Sequence, residues 1–149
     1  MKARDLMTKT PTCATPDARI EAIARMMTQR DCGAIPIVSE ETGLPVGLVT
    51  DRDIVVRTIA HGRNPIGLTA RDCMTTPAVT VRENQELGEV VALLERRQIR
   101  RVMVVDETDA LSGILALADI AAHASKKQVG ELLREVSMPL SELVIGHAH

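Results

Sequence analysis

The residues best equipped for chemistry are gathered in Gly47-Leu48-Val49-Thr50-Asp51-Arg52-Asp53-Ile54, where an apolar strand delivers a hydroxyl, a guanidinium and two carboxylates to the start of a helix. Such a set recognises by hydrogen bonds and charge, because an ionised carboxylate only accepts, a guanidinium only donates, and a hydroxyl does both. The same residues also fit a capping box, with Thr50 accepting from the N–H of the third helical residue and Asp53 reaching back, worth about 1 kcal/mol. The two readings are compatible. A second concentration, Arg96-Arg97-Gln98-Ile99-Arg100-Arg101, puts four guanidiniums at the entrance to a strand. Read as a solvated basic turn, it pairs with Glu95 or Asp106. Patterns for catalysis are missing: there is no G-x-S-x-G, H-E-x-x-H, P-loop or dinucleotide fingerprint. His61 and His123 fall near helix C-termini, where imidazole meets the helix dipole. Cys13, Cys32 and Cys73 lack C-x-x-C spacing and a neighbouring base in sequence, and read as reduced small hydrophobes. His147 and His149 are two metal-capable side chains without further ligands, the pattern of a solvated end. No catalytic and no metal-binding residue is assigned.

The elements that must position these groups occur twice. Asp5-Leu6-Met7-Thr8 returns as Asp72-Cys73-Met74-Thr75, displaced by 67 positions. Ile20, Ile23, Ala24 and Met27, one face of a helix, map onto Leu87, Val90, Val91 and Leu94 at the same displacement. Ile35-Pro36-Ile37-Val38 maps onto Val102-Met103-Val104-Val105, and Gly47 to Asp53 maps onto Gly113 to Asp119 at 66 because one loop residue is missing. The pattern predicts, in the first copy, a short strand at 12–15, a helix from Asp17 to Arg30-Asp31 broken by Gly33, strands at 34–38 and 46–49, and a helix from Asp51 to His61 capped by Gly62. The second copy predicts a strand at 79–81, a helix at 84–97, strands at 101–105 and 113–116, and a helix at 117–124. Residues 1–66 form repeat 1, 67–124 form repeat 2, and 125–149 form an extension. In that extension Val129, Leu132, Leu133 and Val136 predict a third helix over 126–138, stopped by Pro139, with a loose tail from Leu140. A half of this size buries little core alone, so the expectation is one compact α/β module with a pseudo-twofold cleft between the copies.

Composition narrows the function further. Apolar residues make up 45% of the 149, yet Phe, Tyr and Trp are all absent, so Val, Ile, Leu, Met and Ala must build the core. The absence removes the stacking platforms of single-strand nucleic-acid binders, and 18 basic against 20 acidic residues supply no general attraction to a polyanion. Nucleic acid is not an expected partner. Neither a leader-like apolar stretch after Met1-Lys2-Ala3-Arg4 nor a membrane-length apolar run occurs, so the expectation is a cytoplasmic chain with no membrane partner.

In order and in duplicate, the D-x-M-T openings, the Gly33-Ala34-Ile35-Pro36-Ile37-Val38 string and the G-x-x-T-x-x-D string resemble the CBS domains, tandem modules named after cystathionine beta-synthase. The likeness covers residues 3–124 and is greatest to small stand-alone CBS-pair proteins of bacteria. It implies a pseudosymmetric α/β pair with an adenosyl ligand such as AMP, ATP or S-adenosylmethionine in the cleft. Asp53 would then accept from the ribose diol, and Thr50 would face the phosphate with Arg52 adding charge. The adenine would lie among aliphatic groups near the backbone of Ala34 and Ile35 and the strand after Thr76-Pro77-Ala78. In the second copy Ala116 replaces the hydroxyl of Thr50 while Asp119 is kept, which leaves a weaker site. There the resemblance gives Arg100 and Arg101 to the phosphates, completed by Thr10 and Thr12.

The reading that follows is a regulatory CBS pair, not an enzyme, needing no cofactor, that transmits the binding of an adenosyl ligand to a dimer or a partner protein. Family likeness implies a homodimer, with the third helix as a candidate interface. The alternative is a dimerisation or docking module that binds no nucleotide.

Overall fold

A computed structural model of the chain describes residues 1–123 together with Leu133, Arg134 and Val136. The helices are α1 (Ala3–Leu6), α2 (Ile20–Arg30), α3 (Asp51–Arg57), α4 (Ala70–Cys73), α5 (Leu87–Arg97) and α6 (Leu117–His123). The strands are β1 (Thr8–Lys9), β2 (Ala34–Val38), β3 (Pro45–Thr50), β4 (Thr80–Arg82), β5 (Arg101–Val105) and β6 (Leu111–Ala116), a mixed α/β architecture. Two compact units share them. One takes Met1–Lys9, Thr80–Val105 and the stretch from Gly113; the other takes Thr10–Val79 and Asp106–Ser112.

Within each unit the strands follow one plan. In the first unit the sheet order is β1-β6-β5-β4, with β1 antiparallel to β6 and β4 parallel to β5. In the second, β2 pairs antiparallel with β3, Thr75 pairs with Leu48 on the far side of β3, and Ala14 lies parallel to Ile37 on the far side of β2. Thr8 opposite Ile114 corresponds to Thr75 opposite Leu48, and Val81 opposite Val104 corresponds to Ala14 opposite Ile37. The opening segment of each sequence repeat therefore serves the unit built mainly from the other repeat. Segment 1–9 goes with the second repeat and 67–79 with the first, so the spatial units cross the sequence boundary near residue 66.

Both long helices start three residues later than their amphipathic pattern predicts, at Ile20 instead of Asp17 and at Leu87 instead of Asn84. Arg19 and Glu86 are held extended because they bridge Thr69 and Lys2, so the helix begins only after them. Leu87, Val90, Val91 and Leu94 of α5 are all buried as expected. On α2, Ile20, Ile23 and Met27 are buried but Ala24 is exposed, and Met26 packs against the core in its place. The helices end where the pattern predicts, at Arg30 and Arg97, and the residues that close them, Asp31 and Gln98, are both left-handed at φ 50° and 52°. Left-handed backbone ends a helix by turning its last carbonyls toward the following N–H groups, and a non-glycine residue there carries steric cost.

The helix expected over 51–61 divides. Thr58, the one buried polar residue among those described, donates its hydroxyl to the Ile54 carbonyl, and its own carbonyl accepts from His61 and Arg63. That leaves a seven-residue α3 and a 3-10 turn, Ile59–His61, capped by left-handed Gly62. Ala14, Ile20, Ile23, Met27, Ile35, Ile37, Val49, Ala70 and Cys73 form the core of this unit. Of the predicted third helix, Leu133, Arg134 and Val136 are helical, with Val136 buried. Val129, Leu132, the rest of 126–138, and the tail with His147 and His149 lie outside the described residues.

Candidate functional site

Each repeated motif residue has a mechanical role. Asp5 and Asp72 of the D-x-M-T strings stand at the third position of α1 and α4, where their carboxylates accept from the N–H groups of Lys2 (2.7 Å) and Thr69 (2.9 Å). That bond to the Thr69 N–H is the main reason the Asp72 carboxyl titrates below the ordinary aspartate range. The methionines and threonines that follow lie against Gly113 and Gly47. A methyl group built on Gly47 would stand 2.7 Å from the Thr75 carbonyl oxygen, 3.1 Å from the Thr76 methyl and 3.2 Å from the Met74 sulfur. One on Gly113 would meet Met7 and the Thr8 carbonyl. Glycine at the head of G-x-x-T-x-x-D is what lets the opening strand close onto β3 or β6.

That closure delivers Thr75 to the head of α3. Thr50 and Asp53 form the capping box: the Asp53 N–H donates to Thr50 Oγ1 at 3.0 Å, and the Thr50 N–H donates to Asp53 Oδ2 at 3.0 Å. The remaining reach of the carboxylate is taken by looser partners. The Thr75 hydroxyl lies 3.4 and 3.5 Å from Oδ1 and Oδ2, and Arg57 Nε lies 3.6 Å from Oδ1. Arg57 also donates from Nη2 to Thr75 Oγ1 at 3.2 Å. Asp53 is only 16% exposed while Arg57 is 47% exposed, so the guanidinium and the hydroxyl stand between the carboxylate and solvent. Neither Arg57 nor Thr75 is among the residues that sequence analysis assigns to the site. The signals were an i, i+4 Asp–Arg spacing and the last residue of the repeated D-x-M-T string.

The expected first-copy residues fall within one unit. Ala34 opposes Thr50 across the β2–β3 pair, Ile35 opposes Val49, and the Asp51 N–H donates to the Gly33 carbonyl at 3.0 Å. Ala34 and Ile35 are buried, with Ile35 in the core. Arg52 is exposed, Thr76 is exposed and Ala78 is half-buried. A shallow depression lined by Asp17, Glu40, Glu41 and Arg71 in the same unit includes none of these residues.

The second-copy residues belong to the other unit. The Ala116 N–H donates to Asp119 Oδ2 at 2.9 Å, but Ala116 has no hydroxyl to accept in return, so half of the capping box is lost. The Leu117 N–H donates to the Arg100 carbonyl at 2.8 Å, the counterpart of the Asp51–Gly33 bond, which ties the basic run to the head of α6. Arg100 is exposed and Arg101 is half-buried at the start of β5. His123 is exposed, with Nδ1 3.3 Å from the Asp119 carbonyl, a helix-end contact, and His61 closes the 3-10 turn. Cys73 is buried, which pushes its thiol pKa up, whereas Cys13 and Cys32 are exposed. Among the described residues no group of three or more His, Cys, Asp or Glu is arranged to hold a metal ion, and no helix is long and apolar enough to cross a membrane.

Comparison with known proteins places this arrangement in a wider set. The chain is 33% identical over 139 residues to hypoxic response protein 1 of Mycobacterium tuberculosis, covering 93% of this chain and 96% of that protein. The crystal structure of hypoxic response protein I with two coordinated zinc ions superposes with a TM-score of 0.73 at 34% identity, over 84% of this chain and all of that one. The CBS domain-containing protein YhcV of Bacillus subtilis is 38% identical over 136 residues, 90% of this chain and 94% of that protein. The chain spans 57% of the length of MK0525 from Methanopyrus kandleri, to which it is 38% identical over 117 residues, 78% of this chain. Among solved structures, the CBS domain pair of protein MJ0100 in complex with 5′-methylthioadenosine and S-adenosyl-L-methionine has a TM-score of 0.73 at 25% identity, over 82% of this chain and 94% of that one. The CBS domain profile matches residues 3–58 and again 70–126, so the two sequence repeats are two such domains and the chain belongs to the CBS domain family as a tandem pair.

Proposed function

We propose that this CBS pair is a regulatory module that binds an adenosyl ligand, of the AMP, ATP or S-adenosylmethionine type, through the carboxylate of Asp53. The observation that carries the reading is the state of that carboxylate. One oxygen is fixed by the Thr50 N–H at 3.0 Å, while its outward partners stand at 3.4–3.6 Å and are exchangeable. A pre-oriented carboxylate with replaceable partners suits two adjacent hydroxyl donors, and charge-assisted bonds of this kind are the stronger ones. The MJ0100 pair supports the choice of ligand class, since both of its ligands carry a ribose diol on adenine. Arg52 and the Thr50 hydroxyl supply the polar groups for a phosphate or sulfonium substituent, and the backbone of Ala34 and Ile35, with Thr76 and Ala78, borders the base. Asp119 with Arg100 and Arg101 forms the weaker second site. The module acts by association, in the cytoplasm, as a homodimer or on a partner protein rather than as a catalyst. Val55 and Ile59, at 52% and 59% exposure, give it apolar surface for that purpose.

A second reading is favoured by the capping geometry. Asp5 and Asp72 close onto helix starts as Asp53 and Asp119 do, so the repeated aspartates have a structural use without any ligand. On that reading the chain is an interaction module. The ultraviolet spectrum of the purified protein separates the two. With no Trp, Tyr or Phe the chain is nearly transparent near 280 nm, so co-purified adenosyl ligand shows as an absorption band near 260 nm, and mass spectrometry of the denatured supernatant identifies it. Ligand-free protein that also fails to bind AMP, ATP and S-adenosylmethionine in calorimetry leaves the interaction module.

A further inference from the structure

We infer that Arg57 and Thr75 are specificity-setting residues of the Asp53 site, because they occupy in advance the positions on the carboxylate that a ribose diol must take. The inference rests on the proposed ribose role of Asp53 and deepens it. Arg57 donates to the Thr75 hydroxyl at 3.2 Å, that hydroxyl lies within 3.4 and 3.5 Å of the two Asp53 oxygens, and Arg57 Nε stands 3.6 Å from Oδ1. The three groups close a ring of contacts over a carboxylate whose remaining bond, from the Thr50 N–H, is locked inside the capping box. A carboxylate has about four lone-pair sites. With one given to Thr50 and others to Thr75 and Arg57, a diol cannot engage both of its hydroxyls until the internal pair is displaced. A ligand with a single hydroxyl needs only part of that displacement.

The internal pair therefore competes with the second hydroxyl of the ligand, and ligand affinity is lower than the bare carboxylate would give. Thr75 also belongs to the segment paired to Leu48. Its release from Asp53 is thus the first structural consequence of ligand entry, felt by the segment that leads on to Thr76 and Ala78.

The test uses the full-length protein and an uncharged probe, adenosine, so that the lost charge of Arg57 does not enter through a phosphate. Calorimetric titrations compare the native chain with Thr75→Val, Arg57→Met and the double variant, each checked for native helix content by circular dichroism. Exposed ion pairs and weak hydrogen bonds of this kind correspond to about a two- to fivefold change in dissociation constant. Each single variant should bind adenosine more tightly by about that factor. The gain should be smaller for 2′-deoxyadenosine, which does not need the second position. Binding by the variants alone also supports the inference. Native binding that is unchanged or weakened in both single variants overturns it while leaving the ribose role of Asp53 intact, and so do equal gains for the two nucleosides. Absence of binding by every protein overturns both.

Discussion

Replacing Gly47 by alanine tests how the opening strand is seated. The added methyl would stand 2.7 Å from the Thr75 carbonyl oxygen, a backbone atom that cannot rotate away, and near Thr76 and Met74. Relief requires β3 and the Thr75 segment to part by several tenths of an ångström. That weakens the two bonds between Leu48 and Thr75, now at 3.1 and 2.9 Å. Each is worth about 0.5–1.5 kcal/mol net, and overpacking that is not relieved costs about 1–3 kcal/mol. Since relaxation trades one against the other, the loss should be about 1–3 kcal/mol. Urea unfolding followed by circular dichroism measures it, because a chain without Trp, Tyr or Phe offers no useful intrinsic fluorescence. Gly88 in α5 is the control: nothing lies within 4 Å of a methyl built there, and Gly88→Ala should gain a few tenths to about 1 kcal/mol. A Gly47→Ala variant within about 0.5 kcal/mol of the native chain would refute the close-approach argument.

Gln98 ends α5 at φ 52°, so Gln98→Gly should raise stability by about 0.5–1 kcal/mol in the same urea assay, and a loss would contradict the steric argument. Asp72 has a folded pKa below its unfolded value, chiefly through the Thr69 N–H. Its contribution is therefore complete above an unfolded pKa of about 3.9 and disappears as pH falls through the folded value. The melting-temperature gap between native protein and Asp72→Asn should be present at neutral pH and close in acid, whereas a gap independent of pH would contradict the assignment. Because Ala116 stands where Thr50 does, AMP should occupy one strong site per chain by calorimetry, and two equal sites per chain would remove the distinction between Asp53 and Asp119.

Much of the fold was legible because the chain states it twice. The 67-residue displacement located the long helices and the central strands, and the apolar face of α5 was read residue by residue. What escaped were features made by pairing at a distance. The late starts of α2 and α5 come from bridges of Arg19 to Thr69 and Glu86 to Lys2, partners too far away in sequence for helical periodicity to register. The short helices α1 and α4 start two residues before the D-x-M-T strings and end at their second residue, and four residues are too few to show a period. The α3 break at Thr58 depends on a buried hydroxyl finding the Ile54 carbonyl, a choice that propensity alone does not make. In the candidate site, the Thr50–Asp53 capping box was readable from spacing. Thr75 was not assigned to it because nothing local says that the strand opening the second repeat returns to the first.

The central claim is that the Asp53 carboxylate receives the ribose of an adenosyl ligand, and titration of AMP into native protein and Asp53→Asn tests it most directly. Asparagine keeps an oxygen for the Thr50 N–H, so the cap should survive with a loss of a few tenths to about 1 kcal/mol in stability. Affinity for AMP should nevertheless fall about ten- to a hundredfold, since a charge-assisted acceptor is replaced by a neutral group that turns an amide donor toward hydroxyl donors. An Asp53→Asn protein that is folded and binds AMP as tightly as the native chain would contradict the account.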